Sequence, residues 1–517
     1  MRVVVRTDAS HAIGSGHVMR CLTLARLLRI AGAEVGFVCR LYPGNLVELI
    51  RAEGFACDTL PSLGTSSPQT ISTADYASWL GGAPEQDAAA LIEILAAKGR
   101  ADWLIVDHYG VEANWERRLR PWCDRLMVID DLANRPHECD LLLDQNLAEH
   151  LESRYHQYVG DDCVKLLGSR YALLQPDYVK LHLEAVPRHS PVRRVFAYFG
   201  AADAGNICGR RVRAFSQVAG ADICLAVVAT RFSQYWSDLS DLAAEDARVC
   251  LHGHLPSLAP LLREADVAFG AGGATSWERC CLGVPAYVVT LAENQVPGAR
   301  ALAKQGAARW LGHAAEVPDA VLLDAMREAL AGESLRTMSD SSLTLVDGWG
   351  GARVVARMLA GPDTSFVVRL LAPTDERLTF DWANDPEVRR NSFSTERIDA
   401  LAHRRWLFRR MADLENCRFY VVETVAGLPV GPVRFECLSP GVWEIHYSMD
   451  RCLRGRGVGA AFLKCALDHF RCSVTSANLV IGRVKLSNQA SQHIFRKLGF
   501  SQSSDGQGFH YHLNLKR

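Results

Sequence analysis

Two stretches of the chain combine residue types and spacings suited to chemistry on a phosphorylated ligand. The first is Gly14-Ser15-Gly16-His17, which follows the apolar run Val3 to Val5 and the loop Arg6-Thr7-Asp8. An apolar-periodic stretch, Val18 to Leu28, comes next. Read as strand, glycine loop and helix, this order sets His17 on the first helical turn. Gly14 and Gly16 let backbone come close to a ligand, and the free N–H groups of a helix start suit a phosphate. An imidazole beside that phosphate is placed for proton transfer. The second stretch runs from Gly270 to Glu278. Gly272, Gly273 and the helix start at Thr275 can cradle a diphosphate through backbone N–H groups, and Glu278 can accept both hydroxyls of a ribose. Asn294 and Gln295 follow a strand pattern, and their amides can recognise sugar hydroxyls or acetamido groups. Each motif has a plainer reading. His17 can be a cap or a surface residue, and Glu278 a carboxylate answering the helix dipole.

Elements that position these residues are legible as alternating strands and helices. Residues 1–160 carry apolar runs at Val3–Val5, Val35–Cys39, Trp103–Val106, Leu126–Ile129 and Leu141–Leu143, suited to buried parallel strands. Helical patterns, Met19–Ile30, Leu46–Glu53 and Glu85–Ala97, lie between them, and Pro61 to Thr73 reads as a flexible surface loop. Open α/β sheets bind ligands beyond the carboxyl ends of their strands. Asp8, His17, Asp107, His108, Tyr109 and Asp130 all come from such ends, although the aspartates also suit helix caps. A linker spans Leu183 to Arg194. A second alternation then predicts strands at Arg194–Phe199, Asp222–Val228, Val249–Leu251, Val267–Gly270 and Ala286–Thr290, with another glycine loop from Gly200 to Asn206. Beyond a second linker at Gly361 to Ser365 the pattern turns to α+β, with strands at Val367–Leu371 and Phe419–Glu423 and a hairpin of Val430–Cys437 and Trp443–Met449. The expected domains are 1–186, 187–362 and 366–517.

Composition narrows the function class. The chain has 517 residues, 49% of them hydrophobic and 22% charged, with a formal net charge of −1. That balance gives no electrostatic case for nucleic acid or an anionic membrane. No signal peptide or transmembrane stretch is expected. The 16 cysteines form no Cys-x-x-Cys and suit reduced thiols in a cytoplasm. His252 with His254, and His510 with His512, are paired histidines that nothing nearby completes as a metal site, so no metal is expected.

Residues 1–360 resemble the UDP-sugar hydrolases of pseudaminic acid biosynthesis, relatives of the GT-B glycosyltransferases. The matching segments are Arg6 to Ser10, Gly14 to Arg20, Val106 to Tyr109, Ile129 to Ala133, Leu143 to Asn146, Tyr171 to Leu174, Gly272 to Glu278 and Glu293 to Gln295. The resemblance implies two Rossmann-like domains facing a cleft. It also implies hydrolysis of UDP-2,4-diacetamido-2,4,6-trideoxy-β-L-altropyranose without a metal. In that reading His17 activates water, Asp8 or Asp107 holds its ring in the working tautomer, and Tyr109 and Asn294 touch the sugar. A GT-B glycosyltransferase is the alternative.

The last part is similar to the GNAT acetyltransferases. Arg454-Gly455-Arg456-Gly457-Val458-Gly459 follows a strand and opens a helix, and Asn488 to Phe500 resembles the second signature of that family. The resemblance implies acetyl-CoA as acetyl donor, its diphosphate on the loop from Arg454 to Gly459 and its arm near Asn488. A base is then needed for the attacking ammonium. Glu444 and His446 share one strand face by period 2, and either suits that role. Many members carry Tyr as general acid where this chain has Phe495, so Tyr447 or water must serve. Trp382 and the segment His403 to Trp406 are expected on the acceptor side. The fusion implies a bifunctional enzyme, acetylating a UDP-linked 4-amino sugar and then hydrolysing the product. Another amine or acyl donor for the GNAT domain stays open.

Overall fold

The computed structural model describes residues 1–61, 76–200, 203, 205–231, 233–253, 255–504 and 508–515. The loop from Pro61 to Thr73 therefore lies almost wholly outside the described residues, as do Ala201, Ala202, Ala204 and His254. The chain divides into two compact units, Met1–Gly351 and Ala352–Arg517.

The first unit holds two parallel sheets. In chain order the strands of the first are β1 (Arg2–Thr7), β2 (Glu34–Arg40), β3 (Ala56–Leu60), β4 (Ala101–Asp107), β5 (Cys123–Ile129), β6 (Leu141–Asp144) and β7 (Val164–Leu167). They lie in the order β3-β2-β1-β4-β5-β6-β7. The second sheet contains β8 (Arg194–Tyr198), β9 (Cys224–Val228), β10 (Val249–His252), β11 (Val267–Ala271), β12 (Ala286–Thr290) and β13 (Ala308–His313), ordered β10-β9-β8-β11-β12-β13. Every pairing in both sheets is parallel. Strand order reverses between β1 and β4, and again between β8 and β11. These are the switch points where open sheets leave a crevice at their carboxyl edge. The glycine loop after β1 and the one after β11 each leave from such a point.

Central strands are buried on both faces, so Val3 to Val5 and Trp103 to Val106 read as unbroken apolar runs. β3, β7 and β13 were not evident from the sequence. Each is an edge strand covered less completely, and the polar residues in Ala56–Leu60, Val164–Leu167 and Ala308–His313 break the apolar run. Leu174 and Tyr178 pack in one core with Trp277 and Cys281.

The second unit carries a mixed sheet. Its strands are β14 (Phe366–Leu370), β15 (Cys417–Thr424), β16 (Pro429–Ser439), β17 (Val442–Tyr447), β18 (Leu479–Val484), β19 (Ser501–Ser504) and β20 (Phe509–Asn514), ordered β14-β15-β16-β17-β18-β20-β19. Only the β17–β18 pair is parallel, and its ladder ends at Glu444↔Ile481 although both strands continue. The predicted hairpin is the antiparallel pair β16–β17. The helix Gly459–Ser473 buries Phe462, Leu463, Ala466, Leu467 and Phe470 against the sheet.

Candidate active sites

His17 lies at the start of the helix Gly16–Ile30, whose first turn carries no acidic residue. Gly14 has φ +80°, a left-handed conformation that an L side chain rarely adopts, and it donates its N–H to the Ser10 carbonyl at 2.8 Å. The loop turns there, and Ser15 and Gly16 are left exposed at the helix end while the His17 ring turns inward.

That ring meets the end of β4. His17 Nδ1 donates to Asp107 Oδ1 at 2.6 Å. Arg20, one helical turn on, donates from Nε and Nη2 to the two oxygens of Asp107 at 2.6 and 2.7 Å. Its Nη2 also comes within 3.2 Å of His17 Nδ1, a close approach only, since that nitrogen carries the proton given to Asp107. With Nδ1 committed, Nε2 holds the lone pair. Burial works to raise the Asp107 pKa, but the Arg20 guanidinium and His17 outweigh it and hold the carboxyl well below the usual range. Asp107 therefore stays ionised as the ring's partner.

Asp8, the other carboxylate considered for His17, faces a different group. It pairs with Arg6, accepts the Arg40 backbone N–H at 2.7 Å and sits 3.3 Å from His108 Nε2. It braces the carboxyl edge of β1 and does not contact His17.

Tyr109 also takes a different part from the expected sugar contact. Its hydroxyl donates to Asp131 Oδ1, and its ring stands edge-on to His17 with centroids 4.5 Å apart. The phenol is thus a wall of the site with its donor already used. Asp131 also accepts from Arg20 Nη1 and Asn146 Nδ2, both at 3.1 Å. Arg20, Asp131 and Asn146 lay within the matching segments of the sequence, but nothing in their spacing distinguished them from helix-surface or loop residues.

In the second half, Gly270 leaves no room for a side chain beside the loop. A Cβ there would stand 2.3 Å from Arg279 Nη1 and 3.1 Å from the Tyr198 carbonyl. Buried Arg279 donates from Nη2 to the Ala271 carbonyl at 2.7 Å and to Ser276 Oγ at 2.9 Å, and from Nη1 to Thr275 Oγ1 at 3.2 Å. It stiffens the loop from behind and occupies the Thr275 hydroxyl. Gly272 and Gly273 face Gln295, whose Oε1 accepts the Leu291 N–H at 2.9 Å. Gln295 thus shapes the loop region, while Asn294 is exposed. Glu278 has a buried oxygen, Oε2, without a hydrogen-bond partner among the described residues. Desolvation pushes its pKa up to about 7, against the lowering effect of Tyr178 and Arg279. An unsatisfied acceptor on the first turn of the helix Thr275–Cys281 suits a hydroxyl-bearing ligand.

In the second unit, the loop before the helix Gly459–Ser473 has Gly455 at φ +73° and Gly457 at φ +74°. Buried Val458 precedes the helix, whose first turn has no acidic residue. A Cβ on Gly459 would come within 2.4 Å of Ile494 Cδ1, so the glycine lets this helix approach the helix Gln489–Lys497 closely. The loop fits a diphosphate through its backbone. Its arginines point elsewhere. Arg454 donates from Nε to the Met449 carbonyl at 2.9 Å and from Nη1 to Asp385 at 2.8 Å and Glu387 at 3.0 Å. Arg456 donates to the Ala360 carbonyl at 2.9 Å. Asn488 caps the helix Gln489–Lys497 through the Ser491 N–H at 3.1 Å.

Glu444 and His446 share a face, as the period-2 argument expects, opposite Glu436 and Arg434 on β16. His446 Nε2 lies 3.5 Å from Glu444 Oε2 and 3.7 Å from Glu436 Oε2. Arg483 pairs with Glu444, and Arg434 and Arg410 each reach Glu436 Oε1 at 3.0 Å. Burial raises the Glu444 pKa, but contacts from His446 and Arg483 prevail and hold it low. Phe495 is a core ring, stacked on Tyr511 at 5.1 Å. Tyr447 donates its hydroxyl to Ser491 Oγ at 2.9 Å, and burial pushes its pKa up to about 12. Trp382 is buried with its Nε1 donating to Asp450 at 2.8 Å, and buried His403 sits 3.1 Å from Thr379 Oγ1, so both serve the interior. Trp406 stays partly exposed beneath Arg434.

Among the described residues, no group of three or more His, Cys, Asp or Glu is arranged to hold a metal ion, and no helix is long and apolar enough to cross a membrane.

Comparison with known proteins adds the following. Residues 366–501 match the family model described as Acetyltransferase (GNAT) domain. The chain is similar to the UDP-2,4-diacetamido-2,4,6-trideoxy-beta-L-altropyranose hydrolase of Campylobacter jejuni, 26% identical over 40% of this chain and 63% of that protein. It is also similar to the spore coat polysaccharide biosynthesis protein SpsG of Bacillus subtilis, 39% identical over 19% of this chain and 30% of that protein. It thus spans under two thirds of the length of either relative. Of solved structures, Acinetobacter baumannii MurG covers 69% of this chain and 99% of its own at 15% identity, with a TM-score of 0.49.

Proposed function

We propose that the chain is a bifunctional enzyme of nucleotide-sugar metabolism. The second unit transfers acetyl from acetyl-CoA to the amine of UDP-4-amino-4,6-dideoxy-N-acetyl-β-L-altrosamine. The first unit hydrolyses the resulting UDP-2,4-diacetamido-2,4,6-trideoxy-β-L-altropyranose. The observation that carries the hydrolase reading is the 2.6 Å pairing of His17 Nδ1 with an ionised Asp107 beside an exposed glycine loop. It leaves Nε2 as proton acceptor for a water that attacks the anomeric carbon. The carbon–oxygen bond to UDP breaks, and helix-start N–H groups stabilise the charge that builds on the leaving oxygen. Similarity to the Campylobacter hydrolase supports the substrate class.

For acetyl transfer, the amine attacks the thioester carbonyl and the thiolate of coenzyme A departs. His446 suits the proton from the ammonium better than Glu444, whose low pKa makes it a weak base. Tyr447 supplies a hydroxyl where Phe495 has none. Loop backbone from Gly455 to Gly459 holds the diphosphate, with Arg454 and Arg456 bracing the loop.

Mass spectrometry of products from the amino sugar nucleotide, with and without acetyl-CoA, tests both steps. UDP and the free diacetamido sugar should appear only with acetyl-CoA. No acetylated product under those conditions removes the two-step reading. UDP release that requires an added acceptor points to a glycosyltransferase.

A further inference from the structure

Asp131 touches two of the groups that confine His17. Its Oδ1 accepts the hydroxyl of Tyr109, whose ring edge stands against His17. Its Oδ2 accepts from Arg20, the same guanidinium that clamps Asp107 through two hydrogen bonds. Asn146, from the loop after β6, fixes that oxygen from a third side at 3.1 Å. Arg20 is therefore one cation shared between two carboxylates.

Other charged groups around the site contact mainly one another. Arg135 pairs with Asp130 at 2.9 Å, Arg6 and Arg40 pair with Asp8 and Asp87, and Arg154 faces Asp144 at 3.0 Å, whose pKa burial pushes up to about 7. Cys21 lies on Asp107 as a thiol donor at 3.4 Å, and burial raises its pKa. Trp79 stands edge-on with its ring 6.0 Å from that of His17. Around the imidazole and its direct partners stand two carboxylates, Asp107 and Asp131, and one guanidinium, Arg20.

We propose that Asp131 is a positioning residue for His17: it anchors the Tyr109 wall and, by sharing Arg20 with Asp107, offsets that cation with a second carboxylate near the ring. The inference rests on His17 being the proton acceptor of the hydrolysis. Two effects follow from neutralising Asp131. The Tyr109 ring and Arg20 lose a common anchor, which misplaces the base. The imidazolium also loses a stabilising negative charge, which makes the ring a weaker base that is free of its proton at lower pH.

The test is the pH profile of UDP release from the diacetamido sugar nucleotide by the full chain, for the parent, Asp131→Asn and Tyr109→Phe. Asp131→Asn should lower kcat by about tenfold to a hundredfold. Its acid limb should also move to lower pH by about one unit. Tyr109→Phe, which removes the hydroxyl without changing charge, should lower kcat and leave the acid limb in place. A parental kcat and profile in Asp131→Asn overturns the proposal, as does a fall in kcat with an unmoved acid limb. If Asp131→Asn melts below the assay temperature, Tyr109→Phe decides, and an undiminished kcat overturns the anchoring role. If the parent releases no UDP, the hydrolase reading fails by itself. A ring-nitrogen NMR titration then tests Asp131, with the His17 signal assigned by its loss in His17→Gln. The His17 midpoint should move down in Asp131→Asn, and an unchanged midpoint overturns the proposal.

Discussion

Asp107 and His17 lie ninety residues apart in sequence and meet at 2.6 Å at the carboxyl edge of one sheet. The contact commits Nδ1 and leaves Nε2 to the substrate side. Replacing His17 with Ala should lower UDP release by at least about a hundredfold. Asp107→Asn should cost a comparable factor, because its amide can present a donor to the ring and select the wrong tautomer. Acetyl transfer should stay at the parental rate in both variants. Separate assays of UDP and of free thiol check this.

The same carboxylate makes the first unit sensitive to acid. The folded-state pKa of Asp107 lies below its unfolded value, as does that of Asp8. Such groups contribute stability above the unfolded value of about 3.9, and that contribution is lost as pH falls through the folded value. Urea unfolding followed from pH 7 to pH 3 should show a loss for the parent that sets in only near pH 4 and below. Asp107→Asn should lose less over that range, after a cost at pH 7 of about 3 kcal/mol for leaving Arg20 without its clamp.

Glu278 behaves in the opposite sense. Its pKa in the fold, about 7, lies above the unfolded value, so ionising it costs stability as pH rises toward 7. Because the side chain is partly exposed, the cost is screened. Glu278→Gln should melt about 2 °C above the parent at pH 8 and show a smaller gain at pH 5, by differential scanning fluorimetry. If Glu278 receives ribose hydroxyls, the same change should weaken UDP binding by about tenfold, measured by calorimetry.

Tyr447 offers a hydroxyl near the core ring of Phe495, which has none. Tyr447→Phe should lower acetyl transfer by about tenfold or more. Phe495→Tyr should fail to restore it, because the Phe495 ring tip would lie 2.6 Å from a Cβ on Gly482 and the interior has no room for a hydroxyl. That variant should instead lose about 1–3 kcal/mol of stability, seen in its urea midpoint.

Much of the fold was readable because buried parallel strands leave unbroken apolar runs. Val3 to Val5 and Val267 to Gly270 fall within β1 and β11. Edge strands such as Ala56–Leu60 left no such run. At the sites, glycines and helix starts were readable because backbone geometry restricts residue type, as at Gly14. Partnerships were not. Asp8 and Asp107 both end central strands, and only the packing shows that Arg6 and His108 take one while His17 and Arg20 take the other. Arg454 looked like a phosphate ligand until Asp385 and Glu387 appeared beside it, from a helix start that sequence spacing does not bring near.

The last rung of the β1–β4 ladder pairs Thr7 with Asp107. Side chains alternate faces along a strand, so sliding β4 by one residue would send Asp107 to the far side and leave His17 facing a neighbour unable to hold its ring. Proton transfer therefore reports on strand alignment. A substitution deep in β1 or β4, far from His17, can undo the His17–Asp107 pairing by shifting a hydrogen-bond count by one while the domain remains folded.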